Sequence, residues 1–126
     1  MKDPIFQLTD IVREVAYAIH VYHGTGHLEK VYENALVHRL RKLNIQVEQQ
    51  KPLTVYDEDG TIIGEYVADV VVGGVLIIEL KAVRALTDEH MAQILGYLRA
   101  ANLEHGILMN FGSEKFQIKK LIHTRK

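Results

Sequence analysis

Apolar residues recur every three to four positions through the first third of the chain. After Thr9 and Asp10, both favourable N-cap types, Ile11, Val15, Ile19 and Tyr22 form one stripe of an amphipathic helix that Gly24-Thr25-Gly26 ends. A second helix is predicted from about Leu28, with Val31, Tyr32, Ala35, Leu36 and Leu40 on one face and Asn44 as its terminator. The period then falls to two. Ile45, Val47 and Gln49 alternate with their neighbours, Leu53 and Val55 follow Pro52, and Asp57-Glu58-Asp59-Gly60 is a turn leading to Ile62. Tyr66 to Val72 and Val75 to Leu80 are nearly continuous apolar runs split by Gly73-Gly74, the pattern of a hairpin at the centre of a sheet covered on both faces. From Asp88, Met91, Ile94, Leu95 and Leu98 restore helical spacing to about Leu103. Ile107 to Met109 reads as a strand, and Phe116, Ile118, Leu121 and Ile122 as a last irregular one. The order helix, helix, three or four strands, helix, strand predicts an α/β fold with a mixed β-sheet flanked by helices.

Size adds one constraint. At 126 residues, with no linker-like stretch and no repeat, the chain is expected to form a single domain over 1–126. The absence of Cys excludes disulfides and Cys-based metal sites. The longest apolar stretch, Val70 to Ile78, is far short of the about 20 residues of a membrane helix, and the polar start MKDPIFQLTD does not read as a signal peptide. A cytoplasmic protein with no membrane partner is therefore expected.

Three charges stand out against the strand pattern. Asp69 interrupts one central run, and Glu79 and Lys81 close the other. Residues two apart on a strand share a face, so Glu79 and Lys81 emerge together. Hairpin register decides whether Asp69 joins them. A two-residue Gly73-Gly74 loop would place Asp69 and Glu79 on opposite faces; a three-residue loop, Val72-Gly73-Gly74, pairs Val71 with Val75 and Asp69 with Ile77 and unites all three charges. The odd-length loop, or an equivalent bulge, is predicted. Two carboxylates about 4 Å apart then repel by roughly 4 kcal/mol at an effective dielectric of 20, and Lys81 offsets only one of them. A divalent ion, Mg²⁺ or Mn²⁺, would offset the rest, with Asp69, Glu79 and the carbonyl of Leu80 as hard oxygen ligands. Lys81 would orient or deprotonate the attacking water, or hold a phosphate. Gln93 and Tyr97, four apart on the next helix, share a face that can turn towards this strand end, and Glu29 can approach it from the helical pair. Glu79-Leu80-Lys81 alone would equally suit a solvated ion pair.

In combination, Asp69, Glu79-Leu80-Lys81 and Gln93-Ile94-Leu95-Gly96-Tyr97 resemble the PD-(D/E)XK nuclease superfamily, and the Gln-x-x-x-Tyr element resembles its RecB-like branch. More closely, GTGHLEKVYENAL (Gly24 to Leu36), with Gly26, Glu29 and Tyr32, is similar to the bacterial GxxExxY family. Its later segments match YVADVVV, VLIIELKAV, HMAQILGYLRA and GILMNFG. The resemblance implies a restriction-endonuclease-like core with Asp69 and Glu79 as metal-binding acids, Lys81 as catalytic lysine and Glu29 as an additional acid. Gln93 and Tyr97 would position the substrate phosphate or the lysine. It also offers His20, upstream of the glycine loop, as a further metal ligand. Ala68 stands where the superfamily's pattern has proline.

The remaining signals are weaker. Gly24 and Gly26 interrupt the helix that would align His20, His23 and His27 on a metal, and the Gly-Thr-Gly segment lacks the features of a nucleotide loop. Lys115, Lys119, Lys120, Arg125 and Lys126 crowd the C-terminus, and Arg39, Arg41 and Lys42 line the second helix. The net charge of -1 argues against a generic DNA-coating protein, but one or two Mg²⁺ would bring it to +1 or +3. The expected activity is Mg²⁺-dependent hydrolysis of phosphodiester bonds in nucleic acid, DNA before RNA. The alternative is a non-catalytic module binding nucleic acid or a protein. A domain this small would draw on a homodimer or a protein partner for substrate selection.

Overall fold

The computed structural model describes residues 3–124. Three helices and five strands follow one another as α1 (Pro4–His23), α2 (Glu29–Lys42), β1 (Val47–Tyr56), β2 (Ile62–Val72), β3 (Leu76–Lys81), α3 (Asp88–Ala101), β4 (His105–Asn110) and β5 (Gln117–Ile122). The strands form one sheet in sequence order. Only β3 and β4 are parallel, and α3 makes the crossover between them. The layering is helix, sheet, helix. Val12, Ala16 and Ile19 of α1 and Leu36, Val37 and Leu40 of α2 pack on one face, against Val70, Val72, Ile78 and Leu80. Ile94, Tyr97 and Leu98 of α3 cover Val71 and Ile77 on the other. Leu76 to Leu80 is therefore buried throughout, which explains the apolar run Leu76 to Ile78 and makes Glu79 the exception.

Two boundaries differ from the sequence reading. α1 starts at Pro4, not after Thr9 and Asp10. Asp3 caps it by accepting from the Ile5 N–H at 3.0 Å, and Pro4 supplies a first-turn residue that needs no N–H partner. Thr9 lies a turn inside, its hydroxyl donating to the Ile5 carbonyl at 2.8 Å. The buried face is accordingly Val12, Ala16 and Ile19, while Ile11 and Tyr22 are exposed. At the other end, β5 is a regular antiparallel partner of β4, so two strands follow α3 where one regular strand was expected. Pro52 is accommodated because β1 is a sheet edge, where its missing N–H breaks no ladder.

The segment that leaves β3 is held by Asn110, which is completely buried. Its Oδ1 accepts from the N–H groups of Val83 and Gly112 at 2.9 and 3.0 Å, and its Nδ2 donates to the Val83 carbonyl and to Gln117 Oε1, both at 2.9 Å. Gly112 lets this contact close: a Cβ there would lie 2.3 Å from the Val83 nitrogen. Gly112→Ala is expected to destabilise the protein by about 2–4 kcal/mol in urea unfolding, because backbone must move. Gly96→Ala, where a Cβ meets open space inside α3, should stabilise it by up to about 1 kcal/mol.

Candidate active site

The β2–β3 loop is odd-numbered, as its chemistry requires, but it is Gly73-Gly74-Val75, one residue later than expected. Gly73 and Gly74 both take left-handed conformations, with φ of 60° and 70°, and Val72 pairs with Leu76. Continued to the strand end, this register sets Asp69 opposite Glu79 and not Ile77. Parity is unchanged, so Asp69, Glu79 and Lys81 lie on the face that carries Val71 and Ile77, towards α3. Beyond the Val70–Ile78 pair the two carboxylates replace the backbone ladder. Glu79 Oε1 accepts from the Asp69 N–H at 2.8 Å, and Asp69 Oδ2 accepts from the Leu80 N–H at 3.0 Å. Each acid is thus fixed by the backbone of the opposing strand.

Burial sets the protonation of this pair. Glu79 is 3 % exposed. Loss of hydration, followed by the negative charge of Asp69, pushes its carboxyl up to about 8. Asp69 is raised too, first by burial and further by the charge of Glu33, while the Leu80 N–H opposes the shift. The two side chains also hydrogen-bond one another, in the sense that raises Glu79 and lowers Asp69. Burial and the Asp69 charge both favour the protonated form of Glu79 over its carboxylate.

A short chain of polar groups continues from Lys81. Its Nζ donates to Gln93 Oε1 at 3.1 Å, and Gln93 Nε2 donates to the Tyr97 hydroxyl at 2.9 Å. The Tyr97 oxygen accepts this bond as a neutral hydroxyl. Burial, and then the charge of Glu79, raise its pKa further above the neutral range. Tyr66 packs against the Tyr97 ring at 5.1 Å between centroids, closing the group on the β2 side. The four-residue spacing on α3 thus brings Gln93 and Tyr97 to Lys81.

Other expected site residues lie elsewhere. Glu29 opens α2 exposed, with no hydrogen bond or ion pair among the described residues. The α2 acid whose charge acts on Asp69 is Glu33, one turn later and 4 % exposed. It accepts from Lys30 and Gln50, both at 2.9 Å, and from Gln49. Its position was discoverable as an acid within the apolar stripe of Tyr32, Leu36 and Leu40. Similarly, His20 is a packing residue and not part of an acid cluster. Its Nε2 lies 2.9 Å from the Ser113 carbonyl oxygen, and its ring packs on Phe116 and Phe111. His23 and His27 meet edge to face at 5.8 Å. Among the basic residues, Lys120 donates to Thr9 and lies over the Phe6 ring, and Arg41 donates to the Val47 carbonyl. Arg125 and Lys126 lie outside the described residues.

A model of the PD-(D/E)XK nuclease superfamily matches residues 6–121. The chain belongs to that superfamily. No curated protein matches it. Among solved structures, the crystal structure of SSO0001 superposes with a TM-score of 0.62 at 18% identity, over 77% of this chain and 50% of that one. The chain thus spans about half the length of that protein, and the likeness shows the fold: a PD-(D/E)XK core of α/β type with a five-stranded mixed sheet.

Nucleases of this superfamily generally use divalent metals, so the donor set can be tested for fit. No three acidic or imidazole groups converge as a metal cage among the described residues. Two carboxyls do converge, each with one oxygen on a backbone N–H. Mg²⁺ is commonly bound by one or two carboxylates with water and phosphate oxygens completing its shell, so these residues fit it. The Leu80 carbonyl is a further donor within reach of the fit, since N–H and C=O of one strand residue point to the same neighbour and the Leu80 N–H points to Asp69.

Proposed function

We propose that this protein is a divalent-metal-dependent nuclease that hydrolyses phosphodiester bonds of DNA, in the RecB-like, Gln-x-x-x-Tyr branch of its superfamily and close to the GxxExxY family. One observation carries the reading: the buried Glu79 and the half-buried Asp69, each fixed by the other's strand, stand beside a lysine on the same face. An acid pair so costly in a sheet centre has no packing purpose that apolar residues would not serve better. The order Asp69, then Glu79-x-Lys81, also matches the pattern for which the superfamily is named.

In this reading Asp69 and Glu79, with the Leu80 carbonyl, hold Mg²⁺ or Mn²⁺. When bound, the ion supplies an activated water and charge stabilisation at the phosphate oxygens. Glu79 must give up its proton to become a ligand, and the surrounding backbone N–H groups remain to orient it. Lys81 presents Nζ beside the pair, where its ammonium group orients the attacking water and offsets charge on the phosphate, or its neutral amine form takes the proton that the water gives up. Gln93 fixes that ammonium group through Oε1. Tyr97 in turn accepts from the amide Nε2, which keeps the Gln93 oxygen turned to Lys81. Glu29, exposed at the start of α2, and His20, packed against Phe111 and Phe116, make no hydrogen bond to these groups among the described residues.

The deciding experiment incubates the purified protein with single-stranded, duplex and branched DNA and with RNA, in Mg²⁺, in Mn²⁺ and in EDTA. Cleavage in metal that stops in EDTA is expected. No cleavage of any substrate by folded protein would replace the nuclease with a non-catalytic nucleic-acid-binding or protein-binding module.

A further inference from the structure

β2 does something a regular strand cannot do. Ala68 and Val70 are two apart and should share a face, yet Ala68 packs with the α3 layer and Val70 with the α1–α2 layer. Its partner β1 behaves alike, with Val47 on the α1–α2 side and Leu53, of the same parity, on the α3 side. Both strands turn over at one place. Pairing runs Gln49 with Val70 and Lys51 with Ala68, and Gln50, opposite Asp69, is skipped. Gln50 is in the left-handed region at φ 54°, a conformation strained for an L-residue and foreign to a strand.

Something must hold it there, and Glu33 does. Gln50 Nε2 donates to Glu33 Oε1 at 2.9 Å, while Gln49 Nε2 and Lys30 Nζ occupy Oε2. The Glu33 carboxylate is buried, with three donors on it, so it serves as an anchor. We infer that Gln50, locked by Glu33, is a positioning residue. Its left-handed kink turns β2 over at Asp69 and aims that carboxylate at the Leu80 N–H and at Glu79. The inference rests on the proposed role of Asp69 and adds to it the device that sets its direction.

The test separates the backbone kink from the amide that holds it. Glycine adopts a φ of 54° without help, whereas a β-branched residue resists it. In Gln50→Val, the Leu80 amide is expected to exchange with solvent at least tenfold faster relative to the Ile78 amide. The kcat should fall at least tenfold, with KM within threefold. Gln50→Gly should stay within threefold of wild type in each measure. Gln50→Val behaving like wild type, or Gln50→Gly falling as far as Gln50→Val, would overturn the inference. Should Gln50→Val not fold, Glu33→Gln decides: it is expected to speed Leu80 exchange in the Gln50 protein and not in Gln50→Gly, and equal acceleration in both would overturn the inference. Amide exchange needs neither metal nor substrate. A wild type that cleaves nothing therefore removes the nuclease reading alone, and the exchange data still decide the positioning role.

Discussion

In metal-free buffer at pH 8.5, Glu79→Gln is expected to melt on the order of 10 °C above the wild type. The folded protein raises Glu79 from an ordinary 4.5 to about 8, so between those values the native state holds a proton that the unfolded chain has lost. Stability linked to this group is fully present below about pH 4.5. It declines by roughly 1.4 kcal/mol per pH unit through the window, and is gone once the pH has passed the folded value. Glutamine copies the protonated acid in shape and cannot ionise, so the variant escapes the decline. The two proteins should converge near pH 5. Thermal melts from pH 5 to 9 read the effect directly; parallel curves with no divergence would show that Glu79 is not buried as a protonated acid. Saturating Mn²⁺ should reverse the order at pH 8.5, because the wild type alone gains a tight ligand. The same substitution should remove cleavage. A residue that weakens the fold at working pH and is needed for activity has the pattern of a stability–function trade-off.

Lys81→Ala should behave differently, with loss of activity and little change in stability. Its ammonium group makes one hydrogen bond, to the exposed Gln93, so its removal leaves no buried group unpaired. Cleavage should fall by about 10²–10⁴-fold at saturating metal, the range set by a lost proton-transfer or charge-stabilising group. Lys81→Arg should not rescue it, since a guanidinium holds its proton and is shaped for a planar fork. A Lys81→Ala protein cleaving at the wild-type rate would remove Lys81 from the mechanism. Comparing it with Glu79→Gln distinguishes chemistry from folding, because only one of the two variants moves the melting temperature.

The acid pair was legible because charges inside an apolar β-run must have a reason, and the odd-loop requirement followed from their needing one face. The loop's offset by one residue was not legible. Gly73 and Gly74 both tolerate left-handed conformations, and sequence gives no preference between a loop that begins at Val72 and one that ends at Val75. Helix periodicity placed Gln93 and Tyr97 together, and the chain of hydrogen bonds from Lys81 to Gln93 and from Gln93 to Tyr97 follows from that spacing. Glu29 drew attention as part of a motif, whereas Glu33 owes its place to burial on the inner face of α2. The kink at Gln50 has no sequence signal, because glutamine is not a residue of left-handed turns; only the tertiary contact with Glu33 explains it. Asp3-Pro4 was a stronger helix start than Thr9, and the length of α1 followed from it.

The residues proposed for chemistry, Asp69 to Tyr97, occupy one uninterrupted stretch: a hairpin, its second strand and the helix that follows. Hairpins close in microseconds and local helices faster, so this unit can take shape with little loop-closure cost. The contacts spanning the chain are different in kind, such as His20 against Ser113 and Lys120 against Thr9. They join α1 to the strand and loop that come last in the chain. Assembly therefore separates in time what the finished molecule combines. The constellation can form early, beneath α3, and the docking of α1 and α2 on the opposite face of the sheet completes the three layers.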